Sequence, residues 1–172
     1  MHPGYDSDIP TEEQVKIGWA NHGLTVLEVS TVPGSGDLKR EFGPLNRRIT
    51  ATTPMKLVGP LAGSEYVKTS ADPTGTTVLG TLNNCAGGVT PWGTILSGEE
   101  NFDQYFAHRD SVTDPQVQAS LQRLGIPAGE SYRKWERFDR RFDVSLEPNE
   151  VNRFGYIIEI NPYDPTSTPV KH

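Results

Sequence analysis

Residues 83–94 read NNCAGGVTPWGT, and residues 97–102 follow with SGEENF. Small residues and paired glycines around Cys85 allow the backbone to approach another group closely. Glu99 and Glu100 come where a strand is expected to end. Because adjacent residues of an extended chain point to opposite faces, only one of these carboxylates easily faces a given pocket unless the backbone bulges there.

Two interpretations of this stretch remain open from spacing alone. A thiolate at Cys85 is a soft ligand for iron, copper or zinc, and the carboxylates with the amide of Asn101 are hard oxygen donors suited to Ca²⁺, Mg²⁺ or Fe³⁺. Alternatively, Cys85 is a small buried hydrophobe and the glutamate pair is a solvated strand end.

The surrounding sequence is typical of a β-rich fold. Seventeen glycines and fourteen prolines indicate many turns between short elements. β-branched and aromatic segments bounded by turn residues predict strands, with a turn at residues 33–37. The predicted strands are residues 24–29, 48–52, 76–82, 93–96 and 156–160.

Two short helices interrupt this pattern. Thr11 is a predicted N-cap with Gln14 at the capping-box position, and the helix should run to about Ala20. Asp114 is a second predicted N-cap, followed by Pro115 at the first helical position. Gly125 is suited to the position just past the end of this inserted helix.

Composition limits the classes of function. The 172 residues suit one domain, residues 1–10 look weakly anchored, and no apolar run approaches the roughly 20 residues that cross a bilayer. The net charge of −6 argues against nucleic-acid binding. One cysteine excludes an intramolecular disulfide, and no secretory signal is visible at the N-terminus.

Two further features have structural interpretations. The histidines (His2, His22, His108 and His172) are scattered, and we interpret each as a surface or loop residue rather than a ligand. Basic and aromatic residues alternate at residues 132–142, which could indicate base stacking. We favour a core edge instead, with aromatics inward, arginines outward, and Glu136, Asp139 and Asp143 as ion-pair partners.

The 83–94 and 99–102 stretches closely resemble the signature of the bacterial PhoX-type alkaline phosphatase family. Further similar stretches follow in the family's order from about His22 to the C-terminus. They are residues 47–51 (RRITA), 59–63 (GPLAG), 69–75 (TSADPTG) and 152–162 (NRFGYIIEINP).

The resemblance implies a partial β-propeller and a metal-dependent phosphomonoester hydrolase that uses ferric iron with calcium. Cys85 inherits the role of iron ligand, and Glu99 and Glu100 match acidic positions at the metal cluster. Asn84, Trp92 and Asn101 are expected near these ligands. The implied substrates are small phosphomonoesters, and the implied location is the periplasm or outside the cell. A non-catalytic, calcium-binding or structural propeller segment is the alternative.

The chain also departs from the family pattern. Family members are several hundred residues long, with an export signal and His-Glu elements upstream and downstream of the region present here. A phosphate-clamping arginine is expected further on. We therefore expect residues 1–172 to be one partial domain, a central fragment that lacks activity alone.

Overall fold

The computed structural model describes residues 6–172. In chain order the strands are β1 (Leu24–Val26), β2 (Glu28–Thr31), β3 (Leu38–Glu41), β4 (Arg47–Ile49), β5 (Pro54–Leu57), β6 (Thr77–Leu79), β7 (Asn84–Val89), β8 (Ile95–Glu99), β9 (Ile157–Ile160) and β10 (Val170–Lys171). The α-helices are α1 (Glu12–Asn21) and α2 (Pro115–Arg123). Single turns of 3₁₀-helix lie at Glu65–Val67, Phe102–Tyr105, Arg109–Ser111, Trp135–Arg137, Arg140–Phe142 and Glu150–Arg153.

A six-stranded sheet organises the described residues, with the strand order β6-β5-β10-β9-β8-β7. Adjacent strands of this sheet are antiparallel, except that β5 and β10 run parallel to each other. Two two-stranded sheets, β1-β4 and β2-β3, complete the strand pairing. The predicted mainly β class is confirmed, whereas the propeller arrangement stays a prediction.

Both helices begin as their capping residues predict. Thr11 Oγ1 accepts from the Gln14 amide at 3.2 Å, and Gln14 Oε1 accepts from the Thr11 amide at 2.9 Å. Asp114 accepts from the amides of Gln116 and Val117, and Gly125 takes a positive φ of 80° after α2 ends. Capping is local, so a single sequence is enough to predict it.

The strand predictions succeed in part. Predicted segments at residues 48–52, 76–82, 93–96 and 156–160 each overlap a strand, with shifted ends. The single strand predicted at residues 24–29 is wrong, because the chain breaks at Leu27 and its halves pair in different sheets. Strands β3, β5, β7 and β10 were not predicted; β10 has only two residues and is defined by its partners β5 and β9.

An aromatic cluster forms the main core beside the sheet. Tyr105, Phe106, Trp135 and Phe142 are almost completely buried, and their rings pack at centroid distances of 4.7–5.5 Å. Residues 132–142 are therefore a core edge, as predicted, with Trp135 and Phe142 inside. A smaller buried cluster (Ile49, Met55, Ile158 and Ile160) packs against Leu24 and Val26 of β1.

Tyr132 departs from the expected inward orientation, because it is 66% exposed. Glu136, expected to form an ion pair, instead accepts hydrogen bonds from the amide and hydroxyl of Ser131.

One arginine departs from the outward orientation expected for residues 132–142. Arg141 is only 9% exposed and donates to the carbonyl oxygens of Leu79 and Ala51, at 2.7 and 2.8 Å. Its Nε donates to Asp139 at 3.0 Å. The buried carbonyls need donors, and the long guanidinium reaches them, so this basic residue points inward.

The weak anchoring predicted for residues 1–10 falls partly on residues 1–5, which lie outside the described range. Pro10, just before α1, is buried. Within residues 6–172, neither α-helix is long and apolar enough to cross a lipid bilayer.

Candidate metal centre

Cys85 lies on a bulge at the edge of the six-stranded sheet. Asn84 pairs with Glu99, but Gly87 pairs with Ser97, so two residues of β7 stand opposite one residue of β8. Such bulges change the direction of a side chain near functional sites. Gly87 permits the arrangement, because a Cβ there would lie 2.7 Å from the Leu96 carbonyl oxygen.

The bulge places the exposed thiol of Cys85 beside the carboxylate of Glu100. A hydrogen bond with Glu100 and the negative charge of that carboxylate raise the pKa of the Cys85 thiol. The interpretation of Cys85 as a buried hydrophobe is therefore wrong. Within residues 6–172, no Lys, Arg or His lies within ion-pairing distance of Glu100.

Two asparagines with left-handed backbone hold the end of β8 in this position. Asn83 has a φ of 49° and accepts at its carbonyl oxygen from the Glu100 amide, at 3.1 Å. Asn101 has a φ of 44°, and its side-chain amide donates to Glu100 Oε1 at 3.2 Å. Asparagine adopts this left-handed conformation more readily than most residues, so asparagine is a suitable residue at both positions.

Glu99 has the opposite environment. Its side chain is fully buried and receives hydrogen bonds from four donors, so both carboxylate oxygens are occupied. The donors are the amides of Leu82 (3.1 Å), Gly155 (2.9 Å) and Tyr156 (3.1 Å) and the ammonium of Lys171 (2.8 Å). The structure therefore brings Glu100, and not Glu99, to Cys85.

Lys171 is the residue of this region that sequence reasoning missed. Its side chain is fully buried, donates to Glu99 and to the Arg153 carbonyl oxygen, and lies 3.9 Å from the centroid of the Phe154 ring. Burial lowers the pKa of Lys171 to about 8, opposed by the charge of Glu99. The 72-residue separation of Lys171 and Glu99 leaves no sequence signal for this pair.

Within the described residues, the side chains of Asn84 and Trp92 form hydrogen bonds with groups other than Cys85 and Glu100. The Asn84 side chain hydrogen bonds with Thr81, at 2.9 Å from its nitrogen. Trp92 is 72% exposed and donates from Nε1 to Glu159 Oε1 at 2.9 Å. Of the three residues expected near the ligands, Asn101 is the one that touches Glu100.

The described histidines bond to other protein groups. His22 bonds with the Gly18 carbonyl and the Tyr105 hydroxyl, His108 with Asp143, and His172 with Glu159. His2 lies outside the described residues. Across residues 6–172, no group of three or more His, Cys, Asp and Glu side chains is arranged to hold a metal ion. Cys85 and Glu100 are thus a pair of donors rather than a complete coordination sphere.

The described residues form a mainly β structure. An exposed thiol–carboxylate pair lies on a bulge at the edge of its largest sheet. The family model described as "Alkaline phosphatase PhoX" matches residues 3–172. A solved structure, Pseudomonas fluorescens PhoX in complex with vanadate, a transition state analogue, is 43% identical with a TM-score of 0.83. The chain therefore belongs to the PhoX alkaline phosphatase family.

The match covers 92% of this chain and 27% of the Pseudomonas fluorescens chain. This chain thus spans about a quarter of the solved relative that it matches. No curated protein matches it.

Proposed function

We propose that this chain forms part of the active site of a metal-dependent phosphomonoesterase, with Cys85 and Glu100 as metal ligands. The exposed contact between these two side chains, in a chain of the PhoX family, carries the proposal. The related Pseudomonas fluorescens structure contains vanadate, a transition state analogue, which supports the same class of chemistry for this chain.

The chemistry of the pair fits a metal. The carboxylate of Glu100 makes the Cys85 thiol harder to ionise, and the described residues supply no cation that pairs with that carboxylate. A bound cation would offset this effect and favour the thiolate. Sulfur and carboxylate together suit ferric iron, and the carboxylate alone suits calcium, which agrees with the metals implied by the family resemblance.

Glu99 fits a ligand role less well than Glu100. Its two oxygens would have to leave Lys171 and three backbone amides, all in a buried environment. We assign it a structural role, in which it joins the end of β8 to β10 and to the segment before β9. Glu100, one residue further on, is then held in place by a rigid neighbour.

When bound, the cations would neutralise phosphate oxygens and polarise the phosphorus. The chain's own contribution is to position the donors. The bulge at residues 85–86 turns the thiol outward, the Asn83 carbonyl holds the Glu100 backbone, and the Asn101 amide orients the Glu100 carboxylate.

Two donors are fewer than any of these cations requires. We propose that the other ligands belong to segments found in longer PhoX chains, and that these 172 residues alone do not hydrolyse phosphomonoesters. Closure of a propeller and export to the periplasm belong to the same proposal, since both are carried over from the family resemblance.

The test is a chimera in which this chain replaces the segment it matches in Pseudomonas fluorescens PhoX. We expect the chimera to bind iron and calcium and to hydrolyse a chromogenic phosphomonoester. Cys85→Ala should lose both iron and activity, Glu100→Gln should lose metal, and the isolated chain should be silent. A chimera that loads metal and hydrolyses the ester equally well without Cys85 would refute the ligand assignment.

The non-catalytic alternative makes a different prediction for the same chimera. A calcium-binding or structural propeller segment would allow folding and calcium binding without Cys85-dependent hydrolysis. Measured metal content separates the two, because loss of iron on Cys85→Ala is expected only if the thiol is a ligand.

A further inference from the structure

A polar cavity lies beside α1, next to the asparagines that precede Cys85 in the chain. Its volume is about 370 Å³, and its wall includes Asn21, His22, Asn83, Arg133 and Trp135. Neither Cys85 nor Glu100 lines it. We call it the Arg133 cavity. Its volume is in the range of small-ligand sites, near the lower end.

The charge of this cavity is opposite to that of the whole chain. The chain carries a net charge of −6, yet none of the described residues that line the Arg133 cavity is Asp or Glu, and Arg133 contributes a positive charge. Among residues 6–172, no carboxylate lies within ion-pairing distance of Arg133. The buried Arg141 and Arg153 differ, because each is close to two carboxylates.

Arg133 also has unused hydrogen-bonding capacity. Its Nε is buried and has no hydrogen-bond partner within the described chain. The guanidinium carbon lies 5.5 Å from the ring centroids of both Tyr105 and Tyr132, so the aromatic rings orient the group without neutralising it. A buried donor without a partner is costly, so the protein itself does not fully satisfy this guanidinium.

Neutral donors and a histidine complete the wall. The side-chain amides of Asn21 and Asn83 make no hydrogen bond to another described residue. His22 Nδ1 donates to the Gly18 carbonyl at 2.6 Å, so neutral His22 accepts at Nε2 from the Tyr105 hydroxyl, at 2.7 Å. Burial, assisted by the charge of Arg133, lowers the pKa of His22. An anion in the cavity would offset the effect of Arg133.

We propose that the Arg133 cavity binds a small oxyanion, either inorganic phosphate or the phosphate group of a phosphomonoester. A guanidinium with amide donors and no carboxylates is the donor set that such an anion requires. Neither proposed metal ligand lines this cavity, so phosphate binding here can be tested independently of the proposed function.

The test uses the full chain, stripped of metal over a chelating resin, with inorganic phosphate titrated calorimetrically at constant ionic strength. Saturable binding is expected, and Arg133→Met should weaken it by at least about tenfold. Asn21→Leu should weaken it less, whereas Cys85→Ala should leave it unchanged. Phenyl phosphate in place of inorganic phosphate distinguishes the two ligands. Tighter binding of phenyl phosphate indicates a site for phosphomonoesters, and failure of phenyl phosphate to bind indicates a site for free phosphate.

The His22 ring gives an independent readout by NMR. Phosphate should raise the pKa of His22 in the unmodified chain, but not in Arg133→Met, whose fold is checked by circular dichroism. If Arg133→Met does not fold, Arg133→Lys with Asn21→Leu replaces it, and graded weakening is expected. Unsaturable phosphate binding, or equal binding by the Arg133 variant, would overturn the proposal.

Discussion

Glu99 and Glu100 are neighbours in the chain but belong to two different regions. Glu99 faces the interior, where Lys171 and three backbone amides satisfy it. Glu100 faces solvent beside Cys85, and its described partners are that thiol and the Asn101 amide. The comparison shows that the same residue type can support a strand end or offer a free donor, depending on the face it occupies.

The two regions also differ in how charge is balanced. The Glu99–Lys171 pair is completely desolvated, so each charge depends on the other. In the Cys85–Glu100 pair, both groups are acids, and the contact favours the neutral thiol. Removing one partner of the buried Glu99–Lys171 pair should therefore lower the free energy of unfolding substantially. Removing Glu100 from the exposed pair should instead change the reactivity of the Cys85 thiol, with little effect on stability.

The largest effect is expected for Lys171→Met, which leaves the Glu99 carboxylate buried without a cation. We expect a loss of about 3–5 kcal/mol in the free energy of unfolding, measured by urea denaturation. The matched control is Lys68→Met, which breaks the more exposed pair with Glu65 and should cost about 0.5 kcal/mol or less. Equal losses in the two variants would show that burial does not distinguish these pairs.

An intermediate effect is expected at the bulge that separates the two regions. Gly87→Ala places a Cβ against the Leu96 carbonyl oxygen and should cost about 1–3 kcal/mol, while it moves Cys85 away from Glu100. Gly88→Ala is the control, because a Cβ there meets no atom within 4 Å. If thermal denaturation ranks Gly88→Ala as the more damaging variant, the bulge does not have the geometry described.

The smallest effect on stability is expected for Glu100→Gln, at about 0.5 kcal/mol or less, because the residue is exposed. The change removes the negative charge that raises the pKa of the Cys85 thiol. The midpoint of thiol alkylation against pH should move to lower pH, with roughly threefold faster alkylation at about pH 8.

Glu100→Asp provides the control for that prediction. It retains the charge and should keep the alkylation midpoint closer to that of the unmodified chain. An unchanged midpoint in Glu100→Gln would mean that the carboxylate does not act on the thiol, and the proposed ligand pair would lose its support.

Much of the secondary structure was open to sequence reasoning, because its signals are local. The N-caps at Thr11 and Asp114 and the end of α2 before Gly125 involve residues a few positions apart. Residues 24–29 were predicted incorrectly because a continuous β-prone run contains no signal that its halves choose different partners. β10 was missed for a similar reason, since two residues form a strand only between β5 and β9.

The candidate site likewise has features that the sequence predicts and features that depend on long-range contacts. Sequence reasoning selected Cys85, Glu99 and Glu100, and strand alternation indicated that one glutamate alone would easily face a given pocket. The sequence by itself determined the family, the mainly β class, the helix caps and this pair of alternatives. The tertiary structure decided that Glu100 meets Cys85 and that Glu99 meets Lys171. That choice depends on strand register, a bulge and a lysine 72 residues away, and such long-range contacts leave no local pattern in the chain.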